Sequence, residues 1–544
     1  MTRPAARLAA AVVVVGVTSA AWMAFEELRF ESADTALCRE IASDVGLQFD
    51  NPYGPVTATD DLGIMMQRNM GNGAAVGDYD GDGDLDVYLL SNAGHPAALF
   101  RNRLEQGSLA FEDATEEAGV ADEGLGRVAH FADLDGDDDL DLLVLNDRDP
   151  DGVLPPSRLF RNDGDGNFTD VGSASGLQPV GYLIGGAALA DYDLDGDLDV
   201  FVTMWTREIG GTPIGAPLAG RWPGNNALYE NRGEMSFVDV TSEVGLDPLR
   251  LDSFTSVFHD FDGDDDLDLY VAVDHREDRF YEQTAVGFVD ASSPALVNHV
   301  GNDMGIAAGD ISGDGLIDLF VTNINDRQQL FGVDPPGNTL LVSEMVDGQV
   351  RFRDQARTRG VDDVGWGWGA VFTDADLDGD LDLYAVQGFD EFVGAEFELY
   401  DRESVLFEND GTGTFSARAD GSCAVPGDQR ALVAFDADRD HDPDYLITQI
   451  DRPTLLLENQ ASGRGLTVVL NAAPAAGAVV EARVGPETVT QLVMAGGSYL
   501  TGAPAEAYIG LGDETAAAVT VRWADGHTTD LGIVKAGEMA IAVR

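Results

Sequence analysis

The sequence predicts an all-β chain, a seven-bladed β-propeller followed by a small C-terminal β-sandwich-like domain. Three observations carry this expectation. A nine-residue motif rich in aspartate recurs seven times between residues 78 and 444. Each copy is followed by a short apolar run, such as Val87-Tyr-Leu-Leu90 or Val200-Phe-Val-Thr203, whose β-branched and aromatic content favours a buried strand. The mean spacing, (436 − 78)/6 or about 60 residues, suits a four-stranded propeller blade with generous loops.

Charge narrows the function classes. The 544 residues include 97 Asp plus Glu against 32 Lys plus Arg, for a net charge of −65. Such a surface repels phosphate backbones and anionic headgroups, so neither nucleic acid nor an acidic membrane face is an expected partner. Disorder is excluded as well, because 44% of residues are apolar and recur in blocks along the chain.

In chain order, residues 1–25 read as a signal peptide or N-terminal anchor. Arg3 and Arg7 precede the uncharged stretch Leu8 to Phe25, and Ser19, Ala20 and Ala21 offer a cleavage site. A cleaved signal is the favoured reading and an uncleaved anchor the alternative. Both place the body in a secreted, extracellular or periplasmic setting, with no further membrane insertion.

The propeller is assigned to residues 38–461. Its seven loops carry Asp78, Asp80, Asp82, Asp84 and Asp86; Asp133, Asp135, Asp137, Asp139 and Asp141; Asp191, Asp193, Asp195, Asp197 and Asp199; Asp260, Asp262, Asp264, Asp266 and Asp268; Asp310, Ser312, Asp314, Leu316 and Asp318; Asp374, Asp376, Asp378, Asp380 and Asp382; and Asp436, Asp438, Asp440, Asp442 and Asp444. Small-residue segments such as Gly73-Ala-Ala-Val-Gly77 precede the loops. Two further pieces recur after the apolar run: Leu-aromatic-X-Asn, as at Leu99 to Asn102, and Phe-X-Asp, as at Phe111 to Asp113. Four strand-sized pieces per repeat result. The segment Ile41 to Phe49 resembles the last piece alone, so it is expected to complete the final blade and close the ring. Cys38 then enters that closing strand while Cys423 leads into the same blade. A disulfide between them would staple the closure in an oxidising compartment; two unpaired thiols are the other reading.

The chemistry of the loops is that of a hard cation. Alternate residues of a tight loop point the same way, so side chains at positions 1, 3, 5 and 9, with the carbonyl of position 7, can surround one calcium ion with oxygen. Glycine at position 6 (Gly83, Gly196, Gly315, Gly379) permits the positive φ that turns the chain. These are not helical EF-hands, since Leu89 stands at position 12 of the first loop and strands follow. Up to seven Ca2+ ions are expected. The fifth loop, with Ser312 and Leu316, and the seventh, with His441 and Pro443, are expected to bind most weakly.

These loops and their flanking pieces resemble FG-GAP/VCBS repeats, the calcium-binding blades also found in integrin α subunits. Residues 462–544 resemble the ASPIC/UnbV domain, through Gly465-Leu-Thr-Val-Val-Leu470, Gly497-Ser-Tyr-Leu500, Ile509-Gly-Leu-Gly512 and Val519-Thr-Val-Arg-Trp-Ala-Asp-Gly526. The combination resembles the arrangement of the cartilage acidic protein family and its bacterial relatives. The resemblance implies a secreted calcium-binding adhesion or recognition protein without an assigned reaction. Read from its residues, the tail is also all-β, with strand-like Val519 to Trp523 and Met539 to Val543 and a hairpin signal at Asp525-Gly526.

Other residues nominate no catalyst. None of the seven histidines has a zinc-type sequence spacing, and His130 and His259 read as packing residues. Gly365-Trp-Gly-Trp-Gly369 reads as hub packing ahead of a sugar-stacking platform. The expectation is a non-enzymatic, exported calcium-binding module that recognises protein or polysaccharide. The alternative is a calcium-dependent polysaccharide lyase or hydrolase on the same scaffold.

Overall fold

Each aspartate loop joins two antiparallel strands, because its ninth residue already begins the second strand: Asp86 pairs with Gly77 across the first loop and Asp199 with Ala190 across the third. A computed structural model describes residues 36–53, 67–92, 95–147, 156–164, 166–179, 183–205, 208–209, 212–213, 225–246, 251–297, 299–325, 337–389, 403–471, 474–496 and 498–544. The expected targeting segment lies outside them.

Seven antiparallel four-stranded units follow one another. Blade 1 comprises Ala74–Gly77, Asp86–Leu89, Ala98–Asn102 and Phe111–Asp113. Blade 2 is built from Gly126–Ala132, Asp141–Asn146, Arg158–Asn162 and Phe168–Asp170. In blade 3 the strands are Leu183–Ala190, Asp199–Trp205, Ala227–Asn231 and Phe237–Asp239. Blade 4 uses Ser253–His259, Asp268–Glu277, Arg279–Thr284 and Gly287–Asp290, with Val300–Asn302 added alongside its second strand. Blade 5 holds Ile306–Gly309, Asp318–Val321, Thr339–Val346 and Gln349–Asp354. Blade 6 holds Gly367–Thr373, Asp382–Gln387, Val405–Asn409 and Phe415–Ala417. The seventh combines Gln429–Phe435, Asp444–Gln449 and Leu455–Asn459 with the N-terminal strand Cys38–Glu40.

The first strands of successive blades pack around the axis. They are buried on both faces, which explains their Ala- and Gly-rich sequences: bulkier side chains would separate the blades at the hub.

The ring closes through the N-terminus, with Cys38 opposite Asn459 and Glu40 opposite Leu457. The closing strand is thus Cys38–Glu40, and the stretch from Ile41 is the turn that follows it. Gly46 there has φ +85°, and a Cβ would stand 2.7 Å from the carbonyl oxygen of Phe111 in blade 1. Gly176, Gly245 and Gly360 make the same approach to Phe237, Phe288 and Phe415 of the following blades, so glycine sets the spacing between outer edges. Cys38 and Cys423 form a disulfide with Cα atoms 5.0 Å apart.

The C-terminal strands form two sheets, Glu506–Gly510, Gly465–Leu470 and Met539–Ala542 in one, Glu487–Leu492, Val479–Val484, Ala516–Arg522 and Thr528–Lys535 in the other. Leu466, Val468, Val480, Val519 and Trp523 share the core between them. One segment leaves this sandwich and enters the propeller. Ala495 bridges Leu189 of blade 3, and Thr501–Gly502 pairs in parallel with Ala74 and Ala75 on the inner edge of blade 1. Tyr499 lies between, fully buried, its hydroxyl donating to the Met70 carbonyl at 3.0 Å and its ring packed on Phe254 and Trp368. The C-terminal domain therefore fills the axis of the ring, which its sequence did not announce.

Candidate metal centres of the aspartate loops

Backbone geometry makes each loop. Position 1 accepts N–H bonds from the far side of the turn, as Asp78 does from Asp82 and Gly83 and Asp436 from Asp440 and His441. Position 5 accepts the N–H of position 7 in every loop, from Asp82 with Asp84 to Asp440 with Asp442. Positions 4 and 6 both take positive φ. The sequence pattern marks only the glycines there, yet Leu194, Leu377 and Arg439 occupy position 4 and Asp138, Asp265 and His441 position 6 at φ between 59° and 75°. Those side chains tolerate a left-handed backbone at some cost in energy.

Position 9 is anchored at both oxygens. One accepts the backbone N–H of position 2, in all seven loops from Asp86 with Tyr79 to Asp444 with Ala437. The other accepts the backbone N–H of a third-strand residue, the last of its strand in five blades: Asn102, Asn162, Asn231, Gln283, Ser343, Asn409 and Asn459 in turn. That residue explains the Leu-aromatic-X-Asn motif. Its side-chain amide donates to position 2 of the preceding blade's loop, as Asn102 does to Ala437, Asn162 to Tyr79, Asn231 to Leu134, Gln283 to Tyr192, Asn409 to Ile311 and Asn459 to Ala375. Ser343 of blade 5 stands at the equivalent place. The motif is a stitch between neighbouring loops.

The carboxylates left over converge. Asp78, Asp80 and Asp86 lie with ligand atoms within 4.8 Å of one another, as do Asp133, Asp135 and Asp141, and Asp191, Asp193 and Asp199. Asp82 gathers with Asp84 and Glu105 while its charge still acts on Asp78 and Asp80. Positions 1, 3 and 9 thus form the nucleus in these three loops, and position 5 stays beside it, since Asp137 and Asp264 reach the carboxylates of Asp135 and Asp262.

Whether the residues fit a cation is decided by unmatched oxygens. Buried carboxylate oxygens without any hydrogen-bond donor occur at Asp80, Asp135, Asp191, Asp262, Asp374, Asp376, Asp380 and Asp442. Six of the seven loops hold at least one; the fifth holds none. A buried anionic oxygen without a donor costs several kcal/mol unless a cation or proton compensates it. In the fifth loop Asp310 accepts four backbone N–H groups, from Ser312, Gly313, Asp314 and Gly315, leaving little demand for an ion.

Protonation equilibria carry the same strain. Burial, reinforced by neighbouring aspartates, pushes Asp141, Asp199, Asp268 and Asp382 up to about 8, and Asp442 to about 9. Asp78, Asp135 and Asp262 rise to about 6 for the same reason. His130 and His259, by contrast, are buried and lowered to about 4 and about 3, so they stay neutral packing residues. Trp366 and Trp368 are also interior, the first stacked on Phe389 with ring centres 4.0 Å apart, the second donating its indole N–H to the Gly388 carbonyl. Neither offers a face to a sugar.

Residues 78–144, 133–202 and 260–321 match the FG-GAP-like repeat, and residues 470–541 match the ASPIC and UnbV domain. The chain carries FG-GAP-like repeats and a C-terminal ASPIC/UnbV domain. It is 26% identical over 296 residues to cartilage acidic protein 1 of Xenopus tropicalis, covering 49% of this chain and 41% of that protein. Against the human protein of the same name it is 27% identical over 291 residues, covering 48% of this chain and 39% of the other. The chain thus spans about two fifths of the length of these curated relatives. Among solved structures it is similar to the rhamnogalacturonan lyase PL11 of Bacillus licheniformis, with a TM-score of 0.36, 14% identity and 71% of each chain covered. It is also similar to YCF48 of Cyanidioschyzon merolae, with a TM-score of 0.38, 11% identity and coverage of 78% of this chain and 99% of that one.

The ASPIC/UnbV domain sits over the later loops of the FG-GAP repeats. Arg439 Nη1 of loop 7 donates to both carboxylate oxygens of Glu506, at 3.0 and 2.8 Å, and His441 Nδ1 lies 2.9 Å from Thr467 Oγ1. The Gly512 N–H donates to Leu377 of loop 6. Asp374 is consequently buried and its carboxyl raised far above the usual range by desolvation and by Asp382 and Asp378.

Proposed function

We propose that the chain is an exported, calcium-stabilised propeller that binds a protein or polysaccharide without chemically changing it. The observation that carries the calcium reading is the set of donor-less buried carboxylate oxygens in six loops, in a hard, all-oxygen environment that suits calcium. Bound calcium supplies positive charge that offsets repulsion within each cluster. The chain's own residues do the rest: positions 1, 3 and 9 present oxygens, and the N–H bonds to positions 1 and 9 hold them in place. The Cys38–Cys423 disulfide supports an oxidising compartment.

The partner surface is assigned to the ends of the strands away from the aspartate loops. The loop face of the later blades is covered by the ASPIC/UnbV domain, and Tyr499 and its neighbours fill the axis. Recognition by exposed loops on one face is the ordinary use of a rigid propeller, an argument by fold analogy. Glycan-array and protein-array binding of the calcium-loaded chain, repeated after chelation, tests the reading alongside an assay for unsaturated uronate release. Binding without product formation supports it; turnover of a bound polysaccharide contradicts it.

A further inference from the structure

Away from the aspartate loops, one histidine and three oxygen-bearing residues meet between blades 4 and 5. Asp278 lies in the turn between the second and third strands of blade 4. His299 and Asp303 flank Val300–Asn302, and Thr339 begins the third strand of blade 5. All four sit at strand ends opposite those that carry the aspartate loops.

Their atoms converge on His299 Nε2. Asp303 Oδ2 is 3.2 Å from it, Thr339 Oγ1 3.2 Å and Asp278 Oδ2 3.7 Å. Around a tetrahedral ion with bonds of about 2.0–2.1 Å, neighbouring ligands stand about 3.3 Å apart, close to these separations. The outer oxygen of each carboxylate is held from behind: Asp278 Oδ1 accepts the Val273 N–H at 2.8 Å, and Asp303 Oδ1 accepts the Asn323 amide at 2.9 Å. Tyr270 donates its hydroxyl to Asp278 Oδ2. Such outer contacts orient the ligands of a metal. Both carboxylates are fully buried, whereas the imidazole is about one-quarter exposed. A second observation points to a ligand: the fully buried Asp303 Oδ2 faces only the imidazole, at 3.2 Å, and has no other donor.

We propose that His299, Asp278 and Asp303 form a binding site for a single zinc-class divalent ion, distinct from the calcium loops, with Thr339 or a water beside the fourth position. One imidazole nitrogen with two carboxylate oxygens favours such an ion, whereas the loops offer oxygen alone. Two carboxylates also balance the charge of a divalent cation. The elements of two blades would then be tied together by one ion.

The test uses the full, tag-free, disulfide-intact chain in excess calcium, so that the loops are occupied. Zinc is titrated calorimetrically, and cobalt(II) is added in parallel as a visible-absorption probe. The expected result is one zinc per chain, a tetrahedral cobalt spectrum, and loss of both in His299→Ala and Asp303→Asn with calcium uptake unchanged. Absence of zinc uptake in the unmutated chain, or full retention in a folded His299→Ala variant, overturns the proposal. Should either variant fail to fold, X-ray absorption of the zinc-loaded unmutated chain decides: one imidazole with oxygen ligands supports the site, and none, or two or more, contradicts it.

Discussion

At the scale of single residues, the loops divide labour in a way the repeated letters conceal. The sequence shows five evenly spaced aspartates; the structure distinguishes an anchor at position 9, a turn-holder at position 5 and donor-less oxygens at positions 1, 3 and, in loops 6 and 7, position 7. Parity of spacing revealed that a cation site was present, but the backbone N–H bonds that claim particular oxygens depend on strands remote in sequence. One consequence is a pH dependence. Asp141, Asp199, Asp268 and Asp382 are raised to about 8 in the fold, against 3.8 when exposed. The native state therefore holds more protons than the unfolded chain across that window, and stability of the chelated protein falls as pH rises from about 4 to about 8. Melting curves in EDTA should show Tm dropping steadily over that range. Calcium should raise Tm more at pH 8 than at pH 5, where protons compete for the same oxygens.

Among elements, the third-strand Asn links one blade's loop to the next. The motif was legible as a recurring piece; its partner was not, because the contact runs from Asn231 back to Leu134, 97 residues away. Asn231 is fully buried, donating to Leu134 at 2.8 Å and to Leu198 at 3.3 Å. Replacing it with alanine leaves two buried carbonyls short of a donor and is expected to cost about 1–3 kcal/mol. Denaturant titration checks the cost, and calorimetry should find the number of calcium ions unchanged, since the ligands of loops 2 and 3 remain. The closing strand was equally legible in kind but displaced in position. The pattern pointed to Ile41 to Phe49, whereas Cys38–Glu40 makes the pairing, because the recurrent Gly-aliphatic pair belongs to the turn after the outer strand.

For the whole molecule, the propeller and the second all-β unit could be read from repeat length and strand pattern, but their interpenetration could not. Nothing in the local sequence around Tyr499 says that it will cross the axis from blade 3 to blade 1, since the surface receiving it comes from strands hundreds of residues earlier. Tyr499→Ala removes a fully buried ring between Phe254 and Trp368 and is expected to cost about 3–5 kcal/mol. Thermal unfolding with limited proteolysis should reveal both the lower Tm and a newly cleavable connection near residue 462. Calcium and the C-terminal domain should reinforce each other, because loops 6 and 7 lie beneath that domain and Arg439 joins them through Glu506. If each loop binds in the range of extracellular calcium modules, tenfold saturation adds about 1.4 kcal/mol per ion. The most direct measurement is a calcium titration of the EDTA-stripped full chain at pH 7.5, following heat of binding and Tm together. Uptake of about six ions with a Tm that climbs through the titration is the expected result; no uptake with an unmoved Tm would contradict the account.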